Sequence, residues 1–113
     1  MGIIVGELFI TDSGIIEAGT YIAGAVLGKV TDTGVLKLSA KKDNAGNDIT
    51  DGSQNPYAIL LENVTTNTNR NVPILVFGEV DESKLSFGKG WDLASIKDEL
   101  KKIGIFAKGV ING

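Results

Sequence analysis

The chain has 113 residues, neither cysteine nor histidine, and eleven basic against fourteen acidic side chains for a net charge of −3. Disulfides, thiolate metal sites and histidine-based acid–base or zinc chemistry are therefore excluded. The basic residues pair up only at Lys41-Lys42 and Lys101-Lys102, without the stripe that nucleic acid requires.

At this length one domain is expected, able to bury roughly two-thirds of the surface its unfolded chain exposes. Fifteen glycines are nearly twice the ~7% of average composition. They fall between short apolar runs, which predicts strands joined by tight turns. The first ten residues, "MGIIVGELFI", crowd Ile3, Ile4, Val5, Leu8, Phe9 and Ile10 around one charge, Glu7. No basic residue precedes the run, so it does not read as a signal peptide. Gly6, Glu7, Asp12, Gly14 and Glu17 interrupt it long before the ~20 apolar residues that a membrane span needs. Apolar side chains so close to a terminus still require a cover, either the domain's own core or a partner.

Strands are predicted at Ile3–Val5, Leu8–Ile10, Ala25–Thr31, Val35–Leu38, Ala58–Glu62, Val72–Glu79 and Ile105–Ala107. Thr33-Gly34 separates the third and fourth of these at hairpin distance. "KKDNAGNDITDGSQ" (Lys41–Gln54) reads as a surface loop, and "NVTTNTNRN" (Asn63–Asn71) as the polar tip of a long connection. Val72–Phe77 is apolar on both faces, with Val72, Ile74 and Val76 on one and Pro73, Leu75 and Phe77 on the other. Such a strand is sandwiched in a core or shared with a neighbouring subunit, and Pro73, which has no N–H, favours an edge or a strand start. In "WDLASIKDELKKIG", Leu93, Ile96, Leu100 and Ile103 form one helical stripe. Asp92 is its N-cap, Trp91 a staple onto Ile96, and Gly104 the C′ residue, although Ser95 stands where a capping box would carry Glu or Gln. No repeat and no linker interrupts this mainly β chain with a single late helix, preceded by a distinct segment at residues 1–20.

No constellation carries chemistry. The hydroxyls have no histidine to activate them. "DNAGNDITD" (Asp43–Asp51) gathers carboxylates and amides but lacks the order of a calcium loop, so a solvated turn is the simpler reading. "FGKGWD" (Phe87–Asp92) sets two glycines before a helix without the phosphate-loop frame. Asn63 begins a formal glycosylation sequon. No catalytic, cofactor or metal residue is assigned.

Three stretches in order, "GAVLGKVTDTG" (Gly24–Gly34), "DGSQNPYAILLENV" (Asp51–Val64) and "VPILVFGEVDESKL" (Val72–Leu85), precede a short helix and a terminal Gly104-Ile105. Over residues 20–106 this order and spacing resembles the head decoration proteins of tailed bacteriophages, the family typified by the lambda decoration protein. The resemblance implies a non-enzymatic virion protein, made in the host cytoplasm, with a β-clip-like domain at residues 21–113 and an extended N-terminal arm at residues 1–20. It also implies a homotrimer on the outer capsid surface, bound to the major capsid protein at three-fold and quasi-three-fold positions and stabilising the shell against DNA pressure. Ile3, Ile4, Val5, Leu8, Phe9 and Ile10 are then the candidate capsid-binding residues, adding a strand to the lattice. Pro73, Leu75 and Phe77 are the candidate trimer interface. The arm is shorter and more apolar than that of the lambda protein, and an ordinary core or trimer-interface strand at residues 3–10 is the competing reading. Two other classes compete for the whole chain, a tail or baseplate module and a calcium- or carbohydrate-binding β module using the Asp43–Asp51 loop.

Overall fold

The computed structural model describes residues 3–109. Along the chain run β1 (Ile10–Ile16), β2 (Gly19–Tyr21), β3 (Val26–Lys29), β4 (Leu36–Leu38), β5 (Pro56–Leu60), β6 (Val64–Thr66), β7 (Arg70–Asp81), α1 (Leu93–Lys102) and β8 (Ile105–Lys108). The expected mainly β architecture with one late helix is what forms. Six strands make a sheet in the order β1-β4-β3-β5-β7-β8, and β1 also pairs with β7. That extra pairing rolls β1, β4, β3, β5 and β7 into a small barrel-like ring, with β8 continuing beside the far half of β7. The ring closes at a single parallel contact, Ile16 opposite Leu36, reinforced by the Glu17 N–H donating to the Leu36 carbonyl at 2.9 Å. β2 and β6 form a separate two-stranded ribbon.

Alternation along the strands explains why several of them are apolar on both faces. Successive side chains point to opposite sides of a sheet. One buried cluster draws Ile16, Leu27, Leu36, Leu60 and Ile74 from the five ring strands and fills the barrel. The neighbours Val26, Ile59 and Leu75 face outward into a second cluster with Val80, Ile96, Leu100 and Ile105. α1 roofs that second cluster with two fully buried side chains, Ile96 and Leu100.

The helix starts where the sequence puts it. Asp92 Oδ1 accepts from the Ser95 N–H at 2.8 Å, and Ser95 Oγ accepts from the Asp92 N–H at 3.2 Å. The capping box is thus complete with serine at N3, correcting the expectation that Ser95 left it open, because a hydroxyl serves as the return acceptor. Trp91 packs against the cluster that contains Ile96. Gly104 ends the helix at φ +88°, a left-handed conformation that glycine adopts freely. Leu93 and Ile103, the outer members of the stripe, are exposed.

Several expected boundaries move. The strand expected at Leu8–Ile10 runs instead from Ile10 to Ile16, antiparallel to β7 from Ile10 opposite Phe77 to Ile16 opposite Arg70. Residues 10–16, expected in the arm, therefore belong to the barrel, with Ile16 inside it. They were hidden because "TDSG" has turn-like composition, whereas Thr11, Asp12 and Ser13 are exposed strand residues. Asn63–Asn71 contains β6 and the start of β7 rather than a continuous loop. Pro73 lies neither at a sheet edge nor at a strand start, since it faces Ser13 of β1. Its carbonyl accepts from the Leu61 N–H at 3.2 Å, one residue past the end of β5. The position without a donor thus falls where the β5 ladder has run out.

Three stability outcomes follow from this helix. Leu100→Ala empties a fully buried site and is expected to cost about 2–5 kcal/mol in denaturant or thermal unfolding. Lys101→Ala, off the buried stripe, should stay within about 0.5 kcal/mol. Asp92→Ala removes the cap and should cost about 0.5–2 kcal/mol. An unchanged melting temperature for Leu100→Ala would contradict the burial described.

Candidate functional site

The six apolar residues near the N-terminus do not act as one unit. Ile3–Val5 lies antiparallel to the C-terminal half of β7. The Asp81 N–H donates to the Ile3 carbonyl at 2.8 Å, the Val5 N–H donates to the Glu79 carbonyl at 3.0 Å, and Ile4 stands opposite Val80. Ile3 and Ile4 are half-buried against the outer core. Gly6–Phe9 belongs to no strand. Its apolar side chains and that of Ile10 face water, with Leu8 75%, Phe9 45% and Ile10 54% exposed.

These exposed residues meet a second set of aromatic side chains. Phe9 crosses Gly78, whose φ is +138° and where a Cβ would lie 2.8 Å from that of Phe9. Ile10 pairs with Phe77 across the β1–β7 ladder. The Phe77 ring meets Phe106 of β8 edge-on, with centroids 6.5 Å apart and planes at 88°. Phe9, Ile10, Phe77 and Phe106 thus follow one another as neighbours, with Leu8 beside Phe9, an exposed apolar group of the kind that can form an interaction site. Phe106 carried no role in the sequence. It reaches Phe77 only because β8 pairs in parallel with β7, from Gly78 opposite Ile105 to Asp81 opposite Lys108, and no local signal encodes that pairing.

The three residues expected at a subunit interface separate as well. Pro73 is exposed and Phe77 half-buried. Leu75 is 0% exposed and packs within the outer core of a single chain, so it backs the surface instead of forming it.

The polar loops are absorbed by local structure. Asp43 Oδ1 accepts from the Ala45 and Asn47 N–H groups at 2.9 Å each, and these bonds hold its carboxyl below the usual carboxylate range. Lys42 pairs with Asp48 across the same loop. Among the described residues no three acidic side chains converge as a metal site would require. The Phe87–Asp92 turn is packed against Ser39–Lys42. The Gly88 N–H donates to the Ser39 carbonyl at 2.7 Å, and the Lys89 carbonyl accepts from the Lys41 and Lys42 N–H groups at 2.9 and 3.1 Å. These bonds fix the turn against the Ser39–Lys42 segment. An open cleft beside this turn is lined by Lys41, Gln54, Trp91, Asp98 and Glu99. Lys41 Nζ sits over the Trp91 ring, 4.4 Å from its centroid, as a cation–π contact. No described helix is long and apolar enough to cross a membrane.

A family model described as "Bacteriophage lambda head decoration protein D" matches residues 6–105. No curated protein matches the chain.

One ion pair gives the barrel a measurable pH dependence. Lys37 Nζ lies 2.8 Å from Asp51 Oδ2, and Asp51 Oδ1 accepts from the Ser53 hydroxyl at 2.5 Å and the Ser53 N–H at 2.9 Å. The bond from Lys37, then those from Ser53, lower the Asp51 carboxyl from 3.8 to about 2. A carboxyl depressed by folding stabilises the native state above its unfolded value, and that contribution is lost as pH falls through its folded value. The Asp51 side chain is 37% exposed, so solvent screening limits the contribution to roughly 1 kcal/mol or less. Asp51→Asn should therefore unfold slightly earlier than the parent chain at neutral pH. The difference should close as pH falls from about 4 to about 2, and a difference that persists at the acid end would reject the assignment.

Proposed function

The chain belongs to the family of the bacteriophage lambda head decoration protein, a structural family of the phage capsid, and from that premise we propose that it clamps the outer face of the expanded capsid as a homotrimer. It sits at three-fold and quasi-three-fold positions, contacts the major capsid protein and stabilises the shell against the packaged DNA without catalysing a reaction. The observation that carries this reading is the family match across residues 6–105. It is supported by Leu8, Phe9 and Ile10, which face water in the isolated chain.

Within the N-terminal set, Leu8, Phe9 and Ile10 make the capsid contact. Ile3, Ile4 and Val5 already have main-chain and side-chain partners on β7. Phe77 and Pro73 contribute to surface shared in the trimer. The family's capsid role also argues against the tail, baseplate and ligand-binding readings of the sequence.

Cosedimentation with expanded, tail-free capsids tests the function. The parent chain should saturate a fixed number of sites per capsid. Leu8→Asp should weaken binding strongly, because an unpaired charge in a dry contact costs several kcal/mol. Its melting temperature should barely move, since exposed positions are usually tolerant within about 0.5 kcal/mol. Phe9→Asp should act in the same direction on binding. A parent chain that fails to sediment with capsids would reject the function, and a Leu8→Asp variant that binds normally would reject the contact surface.

A further inference from the structure

Resting on the trimeric reading above, we propose that the Ile3–Val5 segment is exchanged between copies, each filling the Glu79–Asp81 edge of the next subunit. The C-terminal half of β7 has β8 on one side and, on the other, the three-residue segment Ile3–Val5. Without that segment the Glu79 carbonyl and the Asp81 N–H lose their partners, and the outer core is uncovered where Ile3 and Ile4 pack. The slot therefore needs an occupant, and the structure shows one whose backbone and side chains fit it.

Nothing in those contacts depends on which chain supplies the occupant. A segment of identical sequence from a second copy makes the same two main-chain bonds and the same apolar packing, which is why exchange of an identical element is a low-cost route to oligomers. The connection to β1 is suited to it. Gly6–Phe9 lies outside any strand, and Leu8, within it, is the most exposed large apolar side chain of the described residues. Five steps from Val5 to Ile10 reach roughly 17 Å when extended, enough to cross to a neighbour around a close symmetry axis. Once copies are held together, the neighbouring segment is present at an effective concentration in the millimolar range.

The absence of native cysteine allows a direct test. Ile4 and Val80 are flanked by the Val5-to-Glu79 and Asp81-to-Ile3 bonds, so they form the narrow, non-hydrogen-bonded kind of antiparallel pair, with Cα atoms about 4.5 Å apart. That separation accepts a disulfide. The variants Ile4→Cys and Val80→Cys are unfolded together, refolded as a mixture and oxidised. Neither chain can form an internal disulfide, so a two-chain product containing both is expected only if the segment crosses. The double variant Ile4→Cys/Val80→Cys should run as a covalent trimer on a non-reducing gel. Val80 is buried, so the pair Val5→Cys and Glu79→Cys, facing each other at the half-exposed end of the same register, repeats the experiment without touching the core. Oxidation that yields only internally linked single chains, in a sample that sediments as a trimer, would overturn the exchange. A sample that sediments as a monomer at all concentrations would overturn it too. Failure to bind capsids would instead reject the function proposed above and leave the cross-linking result standing.

Discussion

The structure depends on β7 having no free face over its middle. Ile74 enters the barrel cluster and Leu75, the next residue, enters the outer cluster. Each side of the strand must then be covered by something different. The barrel covers one, and α1 with residues 3 and 4 covers the other. The strand's length of twelve residues lets it serve both clusters in series. Its first half is laddered to β1 and β5, and its second half to β8. Gly78 stands at the changeover with φ +138°, where a side chain would strike Phe9. The glycine is thus required both by the local backbone and by the close crossing of the N-terminal segment.

This two-sided strand was legible in the sequence, but its meaning was open. An unbroken apolar run says that both faces are covered, and it leaves open whether the second cover is internal or another subunit. At Leu75 the internal answer holds, and at Phe77 a ring remains half-exposed. The helix was the most readable element because a stripe, a cap and a terminal glycine all coincide within fourteen residues. β1 was the least readable. Its water-facing residues mix Thr11, Asp12 and Ser13 with Ile10 and Ile15, and its inward contact is concentrated at Ile16. A strand whose pairing is fixed by a distant partner carries little local signature. The same reason hides β6, three residues within a polar stretch and paired with β2 more than forty positions earlier.

The candidate site was visible as composition and invisible as geometry. Six apolar residues at one end of the chain announce a surface to be covered. Their division into a docked part and an exposed part depends on where the chain leaves β7, which hydrophobicity does not encode. The aromatic pair of Phe77 and Phe106 sharpens the contrast. Those rings lie 29 positions apart in the numbering and meet only through a parallel strand pairing. An exposed apolar group of this kind suits a protein of a capsid-decorating family, whose barrel stays intact. The exposed apolar residues are added to a closed ring, so covering them does not require the ring to open.

The division of the N-terminal region also sets an order of stabilities. From Ile10 onward the chain is held by the full β1–β7 ladder and by Ile16 inside the barrel. Before it, Ile3–Val5 is held by two main-chain bonds and three half-buried side chains, of which Ile3 and Ile4 pack on the outer core. Local opening follows the number of such contacts, so the short segment detaches at far lower free energy than the strand it leads into. Its departure leaves barrel closure untouched, because that closure lies at Ile16 and Leu36. It does uncover the Glu79–Asp81 edge, and an unpaired strand edge beside apolar surface is a template for another strand. Weak attachment and a demanding slot on the same few residues together favour a segment that changes partner without the domain changing fold.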